Sequence, residues 1–455
     1  MSRLKKQLIL SLIAVLLLLP GCSLGKPRLI TPTSRDCQPG NTMAYVLTGG
    51  NLFKKNPVMK TDQGIYYNSG GNSLRLRYHD FSTGKDVLLC NRPECKHDGN
   101  EYCVATNAKY SPLAFQLYDG AIYFTATCLE EGNLVYKLIR VAADGSSLSE
   151  VGSYFSTIAD DIVLEPAKNR SRPDSLLIHR NKAIMPLSYV TEDMAEGVKA
   201  VGTAIMDLET GEVTYADETP VSAENLSWLF VSAKEDCVYY VRQEGKKKVL
   251  HCKSLQDGSE ESYSFLPNFN GIYVVANDNA ILYLRVRGRT LCVHHPADGS
   301  NEELTIQSTK DVVFETKLDE QTGKKAFLSE GLKEVDPFTI HPACLLMDER
   351  YIYVFQPVAG LTLENTVHDT STFTLAHVYD HDLKKVDVIA IPNPRVLLGE
   401  DLSDIDHTYN PIPFSLRFLG DEICMCYNNY VFTCTMESFL SGDPEFRLVF
   451  EKTNQ

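Results

Sequence analysis

Between residues 90 and 103 the sequence reads Cys90-Asn91-Arg92-Pro93-Glu94-Cys95-Lys96-His97-Asp98-Gly99-Asn100-Glu101-Tyr102-Cys103, a C-x4-C-x-H-x5-C cluster. Three thiols and an imidazole this close together are soft donors, of the kind that hold zinc tetrahedrally. Pro93 and Gly99 permit the sharp turns that would fold the four side chains onto one point. Four protein ligands leave no open coordination position, so a zinc here would be structural and not catalytic. A disulfide stands beside this reading if the chain is exported to an oxidising compartment. Three thiols then leave an odd one, for which Cys37 or Cys128 is the candidate partner.

The other reactive side chains carry less. Cys128, Cys237, Cys252, Cys292 and Cys344 stand in apolar strand contexts and read as small buried hydrophobes. Cys424, Cys426 and Cys434 flank an Asn428-Asn429 turn, where a bridge across a hairpin could form. Asp401, Asp404, Asp406 and His407 make an acidic loop without the glycine spacing of a calcium-binding hand, and read as solvated. His294-His295 reads as an exposed strand end, and Lys246-Lys247-Lys248 as a solvated hairpin tip. No Gly-x-Ser-x-Gly elbow is present.

The elements that must position the cluster form a repeat. Seven times an acidic or turn-prone start opens a short aromatic and β-branched strand, followed by a second strand, a turn and a third. The starts are Asp62-Gln63-Gly64, Asp119-Gly120-Ala121, Asn181-Lys182-Ala183, Glu235-Asp236-Cys237, Asp278-Asn279-Ala280, Asp348-Glu349-Arg350 and Gly420-Asp421-Glu422. Six of the later turns end in glycine, at Gly84, Gly145, Gly211, Gly258, Gly299 and Gly442, whereas the sixth repeat has Asp380-His381-Asp382. Glycine supplies the positive φ that tight hairpins need. Only Ala195 to Ile205 carries a weak helical pattern. The spacing suits four-stranded blades, and the expected fold is all-β: a β-propeller of seven blades, with six or eight also compatible.

Trp228 is the single tryptophan, which excludes propellers that use one in most blades, namely the sialidase, quinone-dehydrogenase and WD types. Kelch blades carry a Gly-Gly doublet, and only Gly49-Gly50 and Gly70-Gly71 qualify. From about residue 60 to 450 the "Asp-Gly…Ile-Tyr…Asp-x-x-Gly" pattern resembles the TolB-like propellers. The run Leu89-Cys90…Cys95-Lys96-His97…Cys103 is similar to an insertion in uncharacterised exported propeller lipoproteins of gut Firmicutes.

Arg3, Lys5 and Lys6 precede an apolar run from Leu8 to Leu19, the pattern of a secretory signal and too short for a permanent span. Leu19-Pro20-Gly21-Cys22 resembles the bacterial lipobox, although Pro20 departs from the small residue usual there. That resemblance implies cleavage before Cys22 and lipidation of its thiol. Residues 1–21 would be the signal peptide, 22–45 a flexible tether rich in Pro and Gly, and 46–455 the propeller, with the Cys/His insertion at 90–103. Cleavage leaves 41 basic against 59 acidic residues, a charge of −18 instead of −15. So acidic a body does not suit nucleic acid or anionic lipid. The expected protein is a monomer on the extracytoplasmic face, held by its lipid and binding an unknown protein or carbohydrate without catalysis. The alternative is a polysaccharide hydrolase or lyase with paired carboxylates in the propeller channel.

Overall fold

The computed structural model describes residues 58–71, 73–158, 176–185, 203–215, 228–234, 236–244, 247–263, 269–276, 280–285, 290–306, 344–347, 350–359, 371–399, 415–419, 421–427, 429–442 and 444–452. Cys22, Cys37, the signal, the tether and the acidic loop around Asp404 lie outside them, as do the long segment Gln307–His341 and residues 360–370. Among the described residues no helix is long and apolar enough to cross a membrane.

Seven four-stranded antiparallel sheets follow one another along the chain, each built from four consecutive strands. Blade 1 contains β1 (Met59–Lys60), β2 (Gly64–Asn68), β3 (Leu76–Asp80) and β4 (Asp86–Leu88). Blade 2 contains β5 (Ser111–Tyr118), β6 (Ala121–Glu130), β7 (Asn133–Ala142) and β8 (Leu148–Ile158). Blade 3 has β9 (Leu177–His179), β10 (Lys182–Met185), β11 (Ala204–Asp207) and β12 (Val213–Tyr215). Blade 4 has β13 (Trp228–Lys234), β14 (Cys237–Glu244), β15 (Lys247–Ser254) and β16 (Glu260–Tyr263). Blade 5 has β17 (Phe269–Ala276), β18 (Ile281–Arg285), β19 (Thr290–His294) and β20 (Asn301–Thr305). Blade 6 has β21 (Cys344–Met347), β22 (Ile352–Ala359), β23 (Ser371–Tyr379) and β24 (Lys385–Pro392). Blade 7 has β25 (Ser415–Leu419), β26 (Glu422–Tyr427), β27 (Tyr430–Thr435) and β28 (Arg447–Glu451). Among the described residues two short helices, α1 (Pro394–Leu397) and α2 (Met436–Leu440), follow β24 and β27. The chain is a seven-bladed β-propeller.

The pleat explains why the middle strands are apolar on both faces. In β6, Ile122, Phe124 and Ala126 join the core shared with blade 1, whereas Ala121 and Tyr123 join the core shared with blade 3. A strand between two neighbouring sheets must be hydrophobic on both sides, since successive side chains point opposite ways. First strands of neighbouring blades lie against one another, β1 with β5, β5 with β9, β13 with β17 and β17 with β21. They are therefore the innermost strands. Gln116 on β5 bonds the backbone of β9: its Oε1 accepts from Ile178 N at 2.7 Å, and its Nε2 donates to Ile178 O at 3.4 Å.

Fourth strands are the polar edge, and a basic side chain on the third strand fastens several of them. Arg77 Nε donates to Asp86 Oδ1 at 2.6 Å, and Tyr67 Oη also donates to the Asp86 carboxylate. Lys137 Nζ meets Glu150 Oε2 at 2.7 Å, and His251 Nδ1 lies 2.6 Å from Glu260 Oε1 beneath a bond from Tyr240 Oη. Tyr, base and acid thus recur on successive strands of blades 1 and 4, a pattern the linear sequence hides.

Several expectations change. The acidic anchors open the second strand of each blade, not the first, because the inner strand precedes them with no signature of its own. Each Gly turn joins strands three and four. In blade 6 the left-handed position falls to Leu383 at φ 60°, whose side chain packs on the blade 5–6 core. Ala204 and Ile205 belong to β11, paired on both edges, not to a helix. His294 is buried, with Nδ1 2.9 Å from Asn301 Oδ1, and not exposed. Cys424 and Cys434 occupy opposite faces of blade 7, so no bridge spans that hairpin.

Seven hydrophobic clusters join successive blades, and the last closes blade 7 on blade 1. Among the described residues that closure uses side chains and no exchanged strand. Phe450 packs on Tyr67 and His79 with ring centroids 4.9 Å away in both cases, Lys452 Nζ donates to Asn68 O at 2.9 Å, and Lys60 pairs with Glu422.

Two measurements follow from this packing. Phe450→Ala should lower unfolding free energy by about 3–5 kcal/mol, as much as Phe124→Ala within an internal interface; a negligible loss would mean the ring closes by other means. The second concerns His377, which is buried with Nε2 2.8 Å from Gln356 Oε1. Burial, aided by Lys385, depresses its pKa from 6.5 to about 4. The unfolded chain therefore binds a proton that the folded chain refuses. Stability is full above about pH 6.5 and declines as pH falls toward about 4. Urea midpoints measured across this window should drop, and His377→Gln should flatten the slope.

Candidate metal centre

The segment from Leu89 to Tyr110 crosses from blade 1 to blade 2 and is sewn in at both ends. Leu89, Val104 and Tyr110 are buried in the core that the two blades share. Leu89 N donates to Leu76 O at 2.9 Å and Leu76 N to Ala105 O at 2.8 Å, so both limbs border β3. Between them the chain makes local turns. Cys95 N donates to Arg92 O and Cys103 N to Asn100 O, each at 3.1 Å. Arg92 Nη1 donates to Tyr102 O at 2.6 Å and holds the two limbs together. His97 (φ 53°) and Gly99 (φ 85°) both adopt left-handed backbone. For glycine this is free, whereas for histidine it costs energy, of order 1–3 kcal/mol, that the surroundings must impose.

These turns bring together all four residues that the spacing had singled out. The donor atoms of Cys90, Cys95, His97 and Cys103 all lie within 4.8 Å of one another. His97 Nδ1 is 3.5 Å from Cys103 Sγ, and Thr106 Oγ1 donates to the same sulfur at 3.1 Å. The three thiols are free, with no disulfide among them. Cys128, a candidate partner for an odd thiol, is itself free and buried between blades 1 and 2. Cys37 lies outside the described residues.

The sulfurs divide the charge unevenly. Burial opposes ionisation of Cys103, but hydrogen bonds from Thr106, His97 and Cys95 outweigh it and hold the thiol down at about 6. The His97 amide favours a Cys95 thiolate, yet desolvation and the neighbouring Cys103 and Cys90 leave that thiol above its usual range. One anion thus forms readily at Cys103 beside a Cys95 thiol that resists ionisation, and a second anion at Cys95 would need a cation beside it.

Sequence reasoning missed the residues that hold the loop from outside. Thr106 lies three positions past Cys103 and carries no metal signature. Gly145 belongs to the Asp-Gly turn of blade 2, and its O accepts from Asn91 N at 2.9 Å. A Cβ at Gly145 would lie 2.8–2.9 Å from backbone atoms of Leu89 and Cys90. Lys109 and Tyr110 bind the Glu150 carboxylate of β8, at 2.7 and 2.6 Å, beside Lys137. Glu150 is part-buried, which disfavours its charge, but Lys109, Lys137 and Tyr110 together pull its pKa from 4.5 to about 2.

Fold and site thus define a seven-bladed β-propeller with a Cys3His cluster in its first blade crossing. The chain matches no protein-family model, and no curated protein is similar to it in sequence. Among solved structures it is similar to the β-propeller domain of the Trilobed protease from Pyrococcus furiosus, described as having an open velcro topology. That likeness has 11% identity and a TM-score of 0.43, covering 89% of this chain and 98% of that one. A protein from Lactobacillus plantarum is similar at 11% identity and a TM-score of 0.40, covering 88% and 98%. An uncharacterized protein from Listeria monocytogenes is similar at 6% identity and a TM-score of 0.44, covering 76% and 85%. These likenesses go with the fold and carry nothing about activity.

A paired substitution tests the docking of the loop. Gly145 and Gly258 are both at φ 72°, but only Gly145 has backbone where a Cβ would go. Gly258→Ala should cost about 1 kcal/mol of strain, and Gly145→Ala about 1–3 kcal/mol more. Equal losses in denaturant midpoint would show that the turn does not brace Cys90.

Proposed function

We propose that this propeller is an exported lipoprotein that binds a partner and does no chemistry of its own. Residues 1–21 are the secretory signal, Cys22 carries the lipid, residues 22–45 are the tether and 46–455 are displayed outside the cytoplasmic membrane. The lipobox-like Leu19-Pro20-Gly21-Cys22 supports the attachment. So does the mature charge of −18, which repels anionic headgroups and leaves lipid as the source of adhesion. Two acyl chains on one cysteine give stable anchoring. The repeat pattern favours a TolB-like relationship within the propellers.

The observation that carries the binding role is the fastened crossing loop, on which Tyr102 is 69% exposed. An aromatic ring held out on a loop already fixed at both ends can bury large area at little ordering cost. The partner class is a protein or a carbohydrate, and the displayed chain acts as a monomer.

Two arms test this reading. Cys22→Ser should move the protein from membrane to soluble fraction and abolish an acyl mass on the mature N-terminus; unchanged fractionation would overturn the tether. A photo-crosslinking residue at position 102 on intact cells should yield a discrete adduct. The same group at position 384, where Lys384 is 75% exposed on the blade 6 turn, should not. Equal labelling from both positions would overturn the binding role of the loop.

A further inference from the structure

We propose that Cys90 Sγ, Cys95 Sγ, His97 Nδ1 and Cys103 Sγ bind one zinc ion in a closed tetrahedral site that locks the crossing between blades 1 and 2. This inference stands apart from the tether and from the binding role, and it holds or fails whatever the partner.

Geometry comes first. With Zn–S near 2.3 Å and Zn–N near 2.0 Å, a tetrahedral site sets its sulfurs about 3.8 Å apart and nitrogen about 3.5 Å from sulfur. The observed 3.5 Å between His97 Nδ1 and Cys103 Sγ matches that edge. The remaining donor atoms, all within 4.8 Å of one another, need side-chain movements of an ångström or less. Three sulfurs and one nitrogen exclude calcium and magnesium, which take oxygen ligands and higher coordination numbers.

The surroundings supply the outer shell that such sites require. Thr106 Oγ1 donates to Cys103 Sγ, and its hydroxyl also accepts from Gly99 N at 3.3 Å. As the metal enters, each thiol still protonated releases its proton to solvent, and the sulfur lone pairs form the bonds to zinc. Three thiolates against a dication leave one net negative charge, which the Thr106 hydroxyl donor helps to offset. The left-handed backbone at His97 also finds its reason, since that conformation turns the imidazole back toward the sulfurs.

The ion has mechanical work to do. Residues 91–102 contribute no strand and, Tyr102 included, bury little apolar surface, so core packing alone holds only the ends of the crossing. A zinc bonded to residues 90, 95, 97 and 103 closes this stretch on itself and fixes the stalk of Tyr102.

The experiment uses the full-length protein, purified reduced and in detergent. About one zinc per chain should survive dialysis, measured alongside copper, iron and nickel. Replacement by cobalt should give the visible ligand-field bands of a tetrahedral site and a thiolate charge-transfer band. Removing the metal should open tryptic cleavage after Lys96 while the blades stay resistant. His97→Asn should abolish the cobalt spectrum. Thr106→Val keeps all four ligands and should weaken zinc against a competing chelator by about 10–100-fold, which retains a test if the His97 variant fails to fold. Reduced protein that carries no zinc and stays colourless with cobalt would overturn the proposal. So would a native mass lower by two hydrogens per bridge, with the thiols already paired as disulfide.

Discussion

The structure depends on the closure of blade 7 against blade 1. A row of sheets with apolar faces is stable only if its two ends meet, since otherwise two large hydrophobic surfaces stay in water. Each sheet here is made of four consecutive strands, so among the described residues no exchanged strand latches the ends together. Closure falls to a small cluster in which Ile65 and Tyr67 meet Cys424, Val431 and Phe450. Polar contacts at its margin, Lys452 to Asn68 and Lys60 to Glu422, are directional and fix the register of the two sheets. Non-directional burial supplies the energy, and these bonds supply the fit.

The same division of labour runs through the blades. Inner and middle strands are buried by their neighbours, while the fourth strand exposes one side and would fray if it relied on packing. A base on the third strand paired with an acid on the fourth resists this. Where the pair is partly buried, as with Arg77 and Asp86 or Lys137 and Glu150, losing one partner would strand the other in low dielectric. Glu150 extends this clamp to Lys109 and Tyr110, so the mounting of the metal loop and the edge of blade 2 share one charged network.

Much of the fold could be read in the residues because blade-forming strands obey a strict local rule. Asp119-Gly120 and Asp144-Gly145 mark turns through backbone constraints that need no tertiary partner, and Ile122 to Ala126 alternates between two cores by the pleat alone. The inner strands were not legible. Leu177 to His179 are the whole of β9, too short to show a period, and their pairing is supplied by β10 and by Gln116 from the blade before. His294 escaped for a similar reason, since a histidine at a strand end looks solvated until Asn301 is placed across from it.

For the candidate centre, the sequence by itself determined the donors: three thiols and one imidazole, spaced by residues that turn, in a stretch too polar to be a blade. Ligand chemistry is a property of residue type and survives any fold. Only the tertiary structure decided that the four donors converge, that Thr106 and not solvent caps Cys103, and that Gly145 of the next blade lies against Leu89 and Cys90. Those contacts join residues from separate turns and separate repeats. Which atoms meet across an interface is fixed by how whole sheets pack, and no local pattern of side chains contains that information.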